Sequence, residues 1–272
     1  MITIKEYVEL RKKELKQEIL ELKEKYNKQF LLIIFTDYQN PASSAYVKGK
    51  LKDAEELGVD THVYDVNFYK NQNSSFNETL RILQHDLSFS NDYQVGIIVQ
   101  LPLPSDLKLE ADILPRYDVD GFSKDTKVIP CTPRGIVDYL SYNNYDFESK
   151  NVLVIGRSKI VGKPLAQLLT DLNSNVTICH SHTKQEDLKK YVKDADLIIS
   201  AVGKKNLLNR KDFIFNLNSI IIDVGINRDE NGKLCGDCEK GLPVKFQSPV
   251  PGGVGLLTRL ALFENLIQCK EK

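Results

Sequence analysis

A glycine turn with a cation in it, Gly156-Arg157-Ser158 followed by Gly162, is the stretch of this chain best suited to hold a phosphate. The apolar run Val152 to Ile155 before it reads as a strand buried on both faces of a parallel sheet, and Val161 to Leu172 after it reads as an amphipathic helix. That order brings backbone N–H groups and a helix N-terminus to the carboxyl edge of a sheet, where a pyrophosphate is favoured. The pattern is Gly156-x-Ser158-x-x-x-Gly162, an incomplete form of the usual G-x-G-x-x-G. The next apolar run, Asn175 to Cys179, leads into His180-Ser181-His182, with no carboxylate for the ribose hydroxyls of NAD. Arg157, helped by Ser158 and Ser181, suits the 2′-phosphate of NADP instead.

Other residues carry chemistry that spacing alone leaves open. Tyr46 and Lys50 stand i, i+4 on one helix face, which also describes an ordinary solvated pair. Gln100 lies at the exit of an apolar run and before Leu101-Pro102-Leu103-Pro104, which places it at the carboxyl edge of a sheet. Asp118 and Asp120 beside Gly121 fit a plain turn as well as a binding loop. Cys235-x-x-Cys238 lacks a second ligand pair, and His180 with His182 share a face but have no third ligand nearby, so no metal is expected.

The elements that must position these groups alternate. Thr3 to Glu6 fits a capping box for a first helix through Lys25, with Val8, Leu15, Ile19 and Leu22 at helical spacing. Strands are expected at Phe30 to Phe35, Thr61 to Val66 and Gly96 to Leu101, with helices at Ser44 to Leu57, Asn77 to Leu87 and Ser105 to Leu114. Pro130-Cys131-Thr132-Pro133 marks a boundary, followed by a helix over Arg134 to Tyr142. Beyond the glycine turn come a helix at Glu186 to Val192 and strands at Asp196 to Ser200 and Ser219 to Val224, the last two ending at Gly203 and Gly225. The glycine-rich loop Pro249 to Gly255 precedes a closing helix from Leu256 to Gln268. The fold class is therefore α/β, two parallel-sheet domains covered by helices.

With 272 residues the chain has length for two ordinary domains, and its 37 basic and 37 acidic residues cancel. Nothing in that balance favours nucleic acid or an anionic membrane as partner. No run approaches a membrane span, the N-terminus lacks an apolar leader, and the five scattered cysteines fit reduced thiols in the cytoplasm.

Taken in register, Tyr46-Val47-x-x-Lys50, Val99-Gln100-Leu101-Pro102-Leu103-Pro104, Asp118-Val119-Asp120-Gly121-Phe122, Pro130-Cys131-Thr132-Pro133, the Gly156 turn, Asp223-Val224-Gly225-Ile226-Asn227 and Pro249-Val250-Pro251-Gly252-Gly253-Val254-Gly255 resemble the bifunctional methylenetetrahydrofolate dehydrogenase/methenyltetrahydrofolate cyclohydrolase family over nearly the whole chain. The resemblance implies a cytoplasmic homodimer that oxidises 5,10-methylenetetrahydrofolate with NADP and hydrolyses the product to 10-formyltetrahydrofolate. It implies a catalytic, folate-binding domain over 1–125 plus 255–272, a Rossmann-type NADP domain over 126–254, a folate cleft between them and a last helix packing back on the first domain. By the same resemblance Lys50 is the catalytic lysine, Gln100 its partner, Tyr46 a residue lining the folate site and Asp120 the holder of the pterin ring. Val99, Leu101, Pro251, Gly252 and Gly253 join these four in contacting substrate. Thr132, Gly156, Arg157, Ser158, Ile160, Ser181, Gly225, Ile226 and Thr258 are implied for the cofactor. The sequence departs from the family at Thr36-Asp37-Tyr38, where Val-Gly is common, at Leu256-Leu257 in place of Pro-Met, at Cys238 in place of valine, and in a short connection from Phe122 to Pro130.

The chemistry fits that residue set. Loss of hydride from a carbon held between two nitrogens needs no strong base, only alignment against a nicotinamide ring. Hydrolysis of the resulting cation does need proton transfer, for which Lys50 would have to be neutral, with Gln100 directing the amine without adding a negative charge. A monofunctional dehydrogenase, a non-catalytic nucleotide-binding regulator and a shikimate-type oxidoreductase are the competing readings. Retention of Lys50 and Gln100 argues against the first, the intact set of Tyr46, Lys50, Gln100 and Asp120 against the second, and the third needs another substrate constellation, which the sequence does not show.

Overall fold

The computed structural model describes residues 1–268, so residues 269–272 of the expected first domain, and with them Cys269, lie outside the described residues. The chain forms two compact units, one of Glu9–Cys131 with the chain from Arg259, the other of Met1–Val8 with Thr132–Thr258.

In the first unit, helix α1 (Ile4–Tyr26) continues from residue 9 and is followed by strand β1 (Gln29–Thr36), helix α2 (Pro41–Leu57) and strand β2 (Asp60–Asp65). Helix α3 (Asn73–Leu87) and strand β3 (Tyr93–Val99) complete its framework. The capping box at the start of α1 is present in both directions: Thr3 N donates to Glu6 Oε2 at 2.8 Å and Glu6 N to Thr3 Oγ1 at 3.2 Å. Helix α2 begins three residues before the expected start. Asn40 accepts from the amides of Ala42 and Ser43, and Pro41, whose fixed φ suits a first helical position, follows it. The three strands are parallel in the order β2-β1-β3, with Phe35 opposite Val99. Ile33, Phe35, Phe76, Leu80, Ile97 and Val99 form the core beneath α3.

The helix expected at Ser105 to Leu114 does not form; this stretch is turns and irregular chain. Side chains of α3 take its backbone groups instead. Asn77 Oδ1 accepts from the amides of Glu110 and Ala111, both at 2.8 Å, while its Nδ2 donates to Lys108 O at 2.9 Å. Gln84 Oε1 accepts from Leu114 N at 2.6 Å, and its Nε2 donates to Asp112 O at 3.2 Å. A backbone so satisfied has nothing to gain from helix formation.

The second unit contains helix α4 (Cys131–Tyr142) from Thr132 on, strand β4 (Asn151–Ile155), helix α5 (Gly162–Asp171), strand β5 (Asn175–Cys179), helix α6 (Gln185–Asp194), and strands β6 (Leu197–Ser200) and β7 (Ile220–Asp223). A hairpin that the sequence reading did not foresee, β8 (Asn227–Arg228) with β9 (Leu234–Cys235), and a two-residue strand β10 (Phe246–Gln247) precede helix α7 (Val254–Gln268). The sheet is parallel throughout, in the order β10-β7-β6-β4-β5. Its strands β4, β6 and β7 are buried almost completely, as expected of central parallel strands covered on both faces. From Arg259 onward α7 packs on the first unit. Asn265 Nδ2 donates to Val119 O at 2.8 Å and Ile129 O at 3.0 Å, and Glu264 meets Arg11 at 3.1 Å.

Candidate active site and cofactor site

The catalytic candidates come together in the first unit. Lys50, only 5 % exposed on α2, donates from Nζ to Gln100 Oε1 at 2.9 Å. Gln100 is the first residue past β3, fixed there by its own amide, which donates to Phe35 O at 2.8 Å. The Gln100 side chain is oriented by donation from Nε2 to Leu101 O at 2.9 Å, so its oxygen is the atom left to face the amine. Val99 is buried at the end of β3, and Leu101, half exposed, follows Gln100.

Asp118 and Asp120 have different tasks. Asp118 Oδ1 accepts from Gly121 N at 2.9 Å and Oδ2 from Ser123 N at 2.7 Å, which folds the loop on itself. Gly121, at φ 80°, is required there because a side chain would strike Pro130. Asp120 is close enough to Lys50 for their charges to act on each other. Burial pushes its carboxyl above the usual range, against the pull of Lys50. Burial likewise pushes the Lys50 amine below the ordinary lysine value, opposed by Asp120 and Cys131 and reinforced by Arg259. Tyr46 is held as a phenol, its pKa raised by burial. A buried amine shifted towards its neutral form beside an amide oxygen is placed to accept a proton.

The other cluster of candidates lies at the carboxyl edge of the five-stranded sheet. Gly156 adopts φ 122°, and a Cβ there would stand 2.5 Å from Ala201 O. The turn from β4 to α5 can be made by glycine alone, and the glycine leaves backbone open to a ligand. Ser158 Oγ accepts from the amides of Val161 and Gly162 at 3.1 and 3.3 Å, capping α5. Its own hydroxyl proton is then what it can offer an anion. Arg157 and Ile160 are exposed on this turn, Ser181 is exposed just past β5, and Arg157 is close enough to hold the His180 imidazole below its usual value, after burial. Ile160 on this turn, and Val202 and Ile226 just past β6 and β7, are 44–58 % exposed, apolar surface suited to a flat ring system. Gly225 precedes Ile226 and donates its amide to Asp223 at 3.0 Å. Thr132 Oγ1 and Thr258 Oγ1 lie 2.9 Å apart; Thr258 donates to Val254 O at 3.0 Å, so Thr132 is the donor between them. Pro251 and Gly252 are exposed and Gly253 is buried before α7. These groups fit NADP: backbone at a glycine turn, the positive end of α5, a cation for the 2′-phosphate and apolar surface for the rings.

Sequence reasoning missed the residue that holds these loops. Asp237, fully buried, accepts from Ser200 Oγ at 3.0 Å and from the amides of Val202, Gly203 and Lys204 at 2.9, 3.3 and 2.8 Å. Its partner Asp223 accepts from Gly225, Asp237 and Cys238, and burial raises the Asp223 carboxyl. The sequence shows Asp237 only inside Cys235-x-x-Cys238, where the cysteines drew attention and the aspartate did not. Cys238 is a buried thiol beside Asp223, and among the described residues no group of three or more His, Cys, Asp or Glu could hold a metal ion. Arg259, Asp53 and Gly49, around Lys50, were also missed; the one available signal was a glycine in mid-helix.

Residues 2–120 match the tetrahydrofolate dehydrogenase/cyclohydrolase catalytic domain, and residues 130–272 match the NAD(P)-binding domain of the same proteins. The chain belongs to the tetrahydrofolate dehydrogenase/cyclohydrolase family. It is 39 % identical to the bifunctional protein FolD of Bacillus subtilis, over 98 % of this chain and 96 % of that one, and 38 % identical to that of Agathobacter rectalis, over 96 % and 95 %. Among solved structures it resembles the bifunctional FolD of Campylobacter jejuni (TM-score 0.83, 35 % identity, 98 % and 96 % covered). It also resembles the FolD of Trypanosoma brucei, complexed with NADP and an inhibitor (TM-score 0.82, 26 % identity, 99 % and 96 % covered). Membership in the tetrahydrofolate dehydrogenase/cyclohydrolase family makes this chain an enzyme, and its two-domain α/β fold is that of the FolD structures.

Proposed function

We propose that Lys50, Gln100, Asp120 and Tyr46 carry the chemistry of this family here. The enzyme oxidises 5,10-methylenetetrahydrofolate to the methenyl compound and hydrolyses that to 10-formyltetrahydrofolate. NADP, when bound, supplies the hydride acceptor. The protein's part in the first reaction is alignment, which contributes on the order of 7–11 kcal/mol where reacting atoms are well placed. Val99, Leu101 and the loop Pro251 to Gly253 line the substrate, while Thr132, Gly156, Arg157, Ser158, Ile160, Ser181, Gly225, Ile226 and Thr258 hold the cofactor.

In the hydrolytic step water adds to the methenyl carbon and gives up a proton, which the Lys50 amine accepts; the carbon–N5 bond then breaks as the new hydroxyl becomes the formyl oxygen on N10, its proton passing to N5. Gln100 keeps that amine aimed, and its neutral oxygen does not favour the ammonium as a carboxylate would. Asp120 accepts from the pterin's N–H groups and offsets the substrate's positive charge. Tyr46 gives the aminobenzoyl group a ring face. The observation that carries this reading is the buried Lys50 amine 2.9 Å from an amide oxygen whose own N–H is already committed.

The functional division proposed is 1–125 plus 255–272 for folate and 126–254 for NADP. The protein acts as a homodimer in the cytoplasm, a reading supported by the thiols of Cys179, Cys235 and Cys238, which form no disulfide among the described residues, and by β5, an edge strand whose Ile178 is 40 % exposed. No helix of the described residues is long and apolar enough to cross a membrane. The test supplies 5,10-methylenetetrahydrofolate with NADP or NAD and follows NADPH and methenyl absorbance together. NADPH formation and methenyl decay faster than in buffer are expected. Lys50→Met should remove the accelerated decay in a folded protein, and retained hydrolysis would sink the assignment of the base.

A further inference from the structure

The Lys50 face of α2 carries more than the two residues its spacing first marks. Tyr46, Gly49, Lys50 and Asp53 stand at i, i+3, i+4 and i+7, a single stripe of a 3.6-residue helix. Arg259 of α7 lies across it. A Cβ built on Gly49 would stand 1.9 Å from Arg259 Nη1 and 2.9 Å from its Cζ, so glycine is what admits the guanidinium at a mid-helix position otherwise unfavourable to it. The Nε of Arg259 stands 2.8 Å from Asp53 Oδ2, an ion pair by proximity in which the N–H is not aligned on the carboxylate. Asp53 is itself buried and gripped from its other oxygen by Lys12, whose ammonium also reaches Glu56 at 2.6 Å. The guanidinium thus lies between Gly49 and a buried carboxylate.

It adds one charge to the groups around the amine. Facing Lys50 are neutral Gln100 from the end of β3, Asp120 from the loop before α4, Cys131 from the first turn of α4, Arg259 from α7, and Tyr46 on its own helix. Asp120 and Cys131 favour the ammonium; burial and Arg259 oppose it. An arginine stays charged over the whole working range of pH, so its contribution does not titrate away.

We propose that Arg259, lying over Gly49 and paired by charge with Asp53, is a positioning residue that sets a second positive charge beside Lys50 and so adds to what favours the neutral amine in hydrolysis. The inference rests on Lys50 being the base of that step. A cationic methenyl substrate acts in the same direction, and Arg259 prepares the site before it arrives.

The experiment is the pH dependence of cyclohydrolase kcat/KM for Arg259→Gln, Arg259→Lys and Gly49→Ala, with Lys50→Met measured beside them. Arg259→Gln should move the acid-limb midpoint to higher pH by about half a unit, a roughly threefold loss of rate below the midpoint, since each unit is tenfold in neutral amine. Arg259→Lys should restore the midpoint. Gly49→Ala keeps every charge but puts a methyl where the guanidinium lies; it should move the midpoint the same way, in a helix that alanine favours. A merely structural role would lower the rate at every pH and leave the midpoint fixed. That result, with Lys50→Met inactive, overturns the role of Arg259 alone, and Gly49→Ala decides it if Arg259→Gln does not fold. Hydrolysis persisting in Lys50→Met would overturn the base assignment beneath it.

Discussion

An amine in water titrates near ~10.4 and is almost wholly ammonium at neutral pH, so a lysine base depends on what surrounds it. Here desolvation is the largest influence on Lys50, and the amide at 2.9 Å directs it without a charge. On the cofactor side the corresponding single residue is Arg157, exposed on the turn after β4 and beside His180. A charge-assisted bond to a phosphate contributes about 1.5–3 kcal/mol. Arg157→Ala should therefore lower kcat/KM for NADP by roughly ten- to a hundredfold while leaving that for NAD nearly unchanged. An unchanged ratio of the two would remove the 2′-phosphate role. The sequence marks Arg157 because no carboxylate follows β5. It does not mark Arg259, because its partner Asp53 lies some two hundred residues away in sequence and neither residue belongs to a recognisable motif.

Among the elements, β4, β6 and β7 were legible as short apolar runs ended by turn residues, since strands buried on both faces carry no alternation to misread. The hairpin β8–β9 and strand β10 are two residues per strand, too short for any period to register. The segment 105–114 failed for a different reason: its backbone is satisfied by Asn77 and Gln84, which belong to another element. Local propensity cannot report a partner that distant. Asn77 is 1 % exposed and serves Lys108, Glu110 and Ala111 at once. Asn77→Ala should destabilise the first unit by about 2–3 kcal/mol, because buried donors and an acceptor lose their partner together. Urea unfolding with an unchanged slope would register it as an earlier midpoint. A loss under about 0.5 kcal/mol, the ordinary scatter of surface substitutions, would mean water replaces the amide.

Across the whole molecule, two parallel sheets each send their candidates to the carboxyl ends of their strands: Gln100 after β3 in one, and the Gly156 turn, Ser181 and Gly225 after β4, β5 and β7 in the other. With no net charge, the chain has no broad field to draw an anionic cofactor, so selection must be local, at Arg157 and the N-terminus of α5. That locality can be read by hydrogen exchange. NADP at about a hundred times its Kd stabilises the state it binds by about 2.7 kcal/mol. Slowed exchange beyond that global effect should fall on 156–162, 180–182, 201–204 and 224–227, loops that Asp237 and Asp223 tie together. A methenyltetrahydrofolate analogue should instead slow 46–50, 99–101 and 118–121. Protection by NADP centred on the second set would reverse the assignment of the two sites. Protection at 156–162 without 201–204 would show that the buried aspartate pair stabilises those loops independently of the ligand they face.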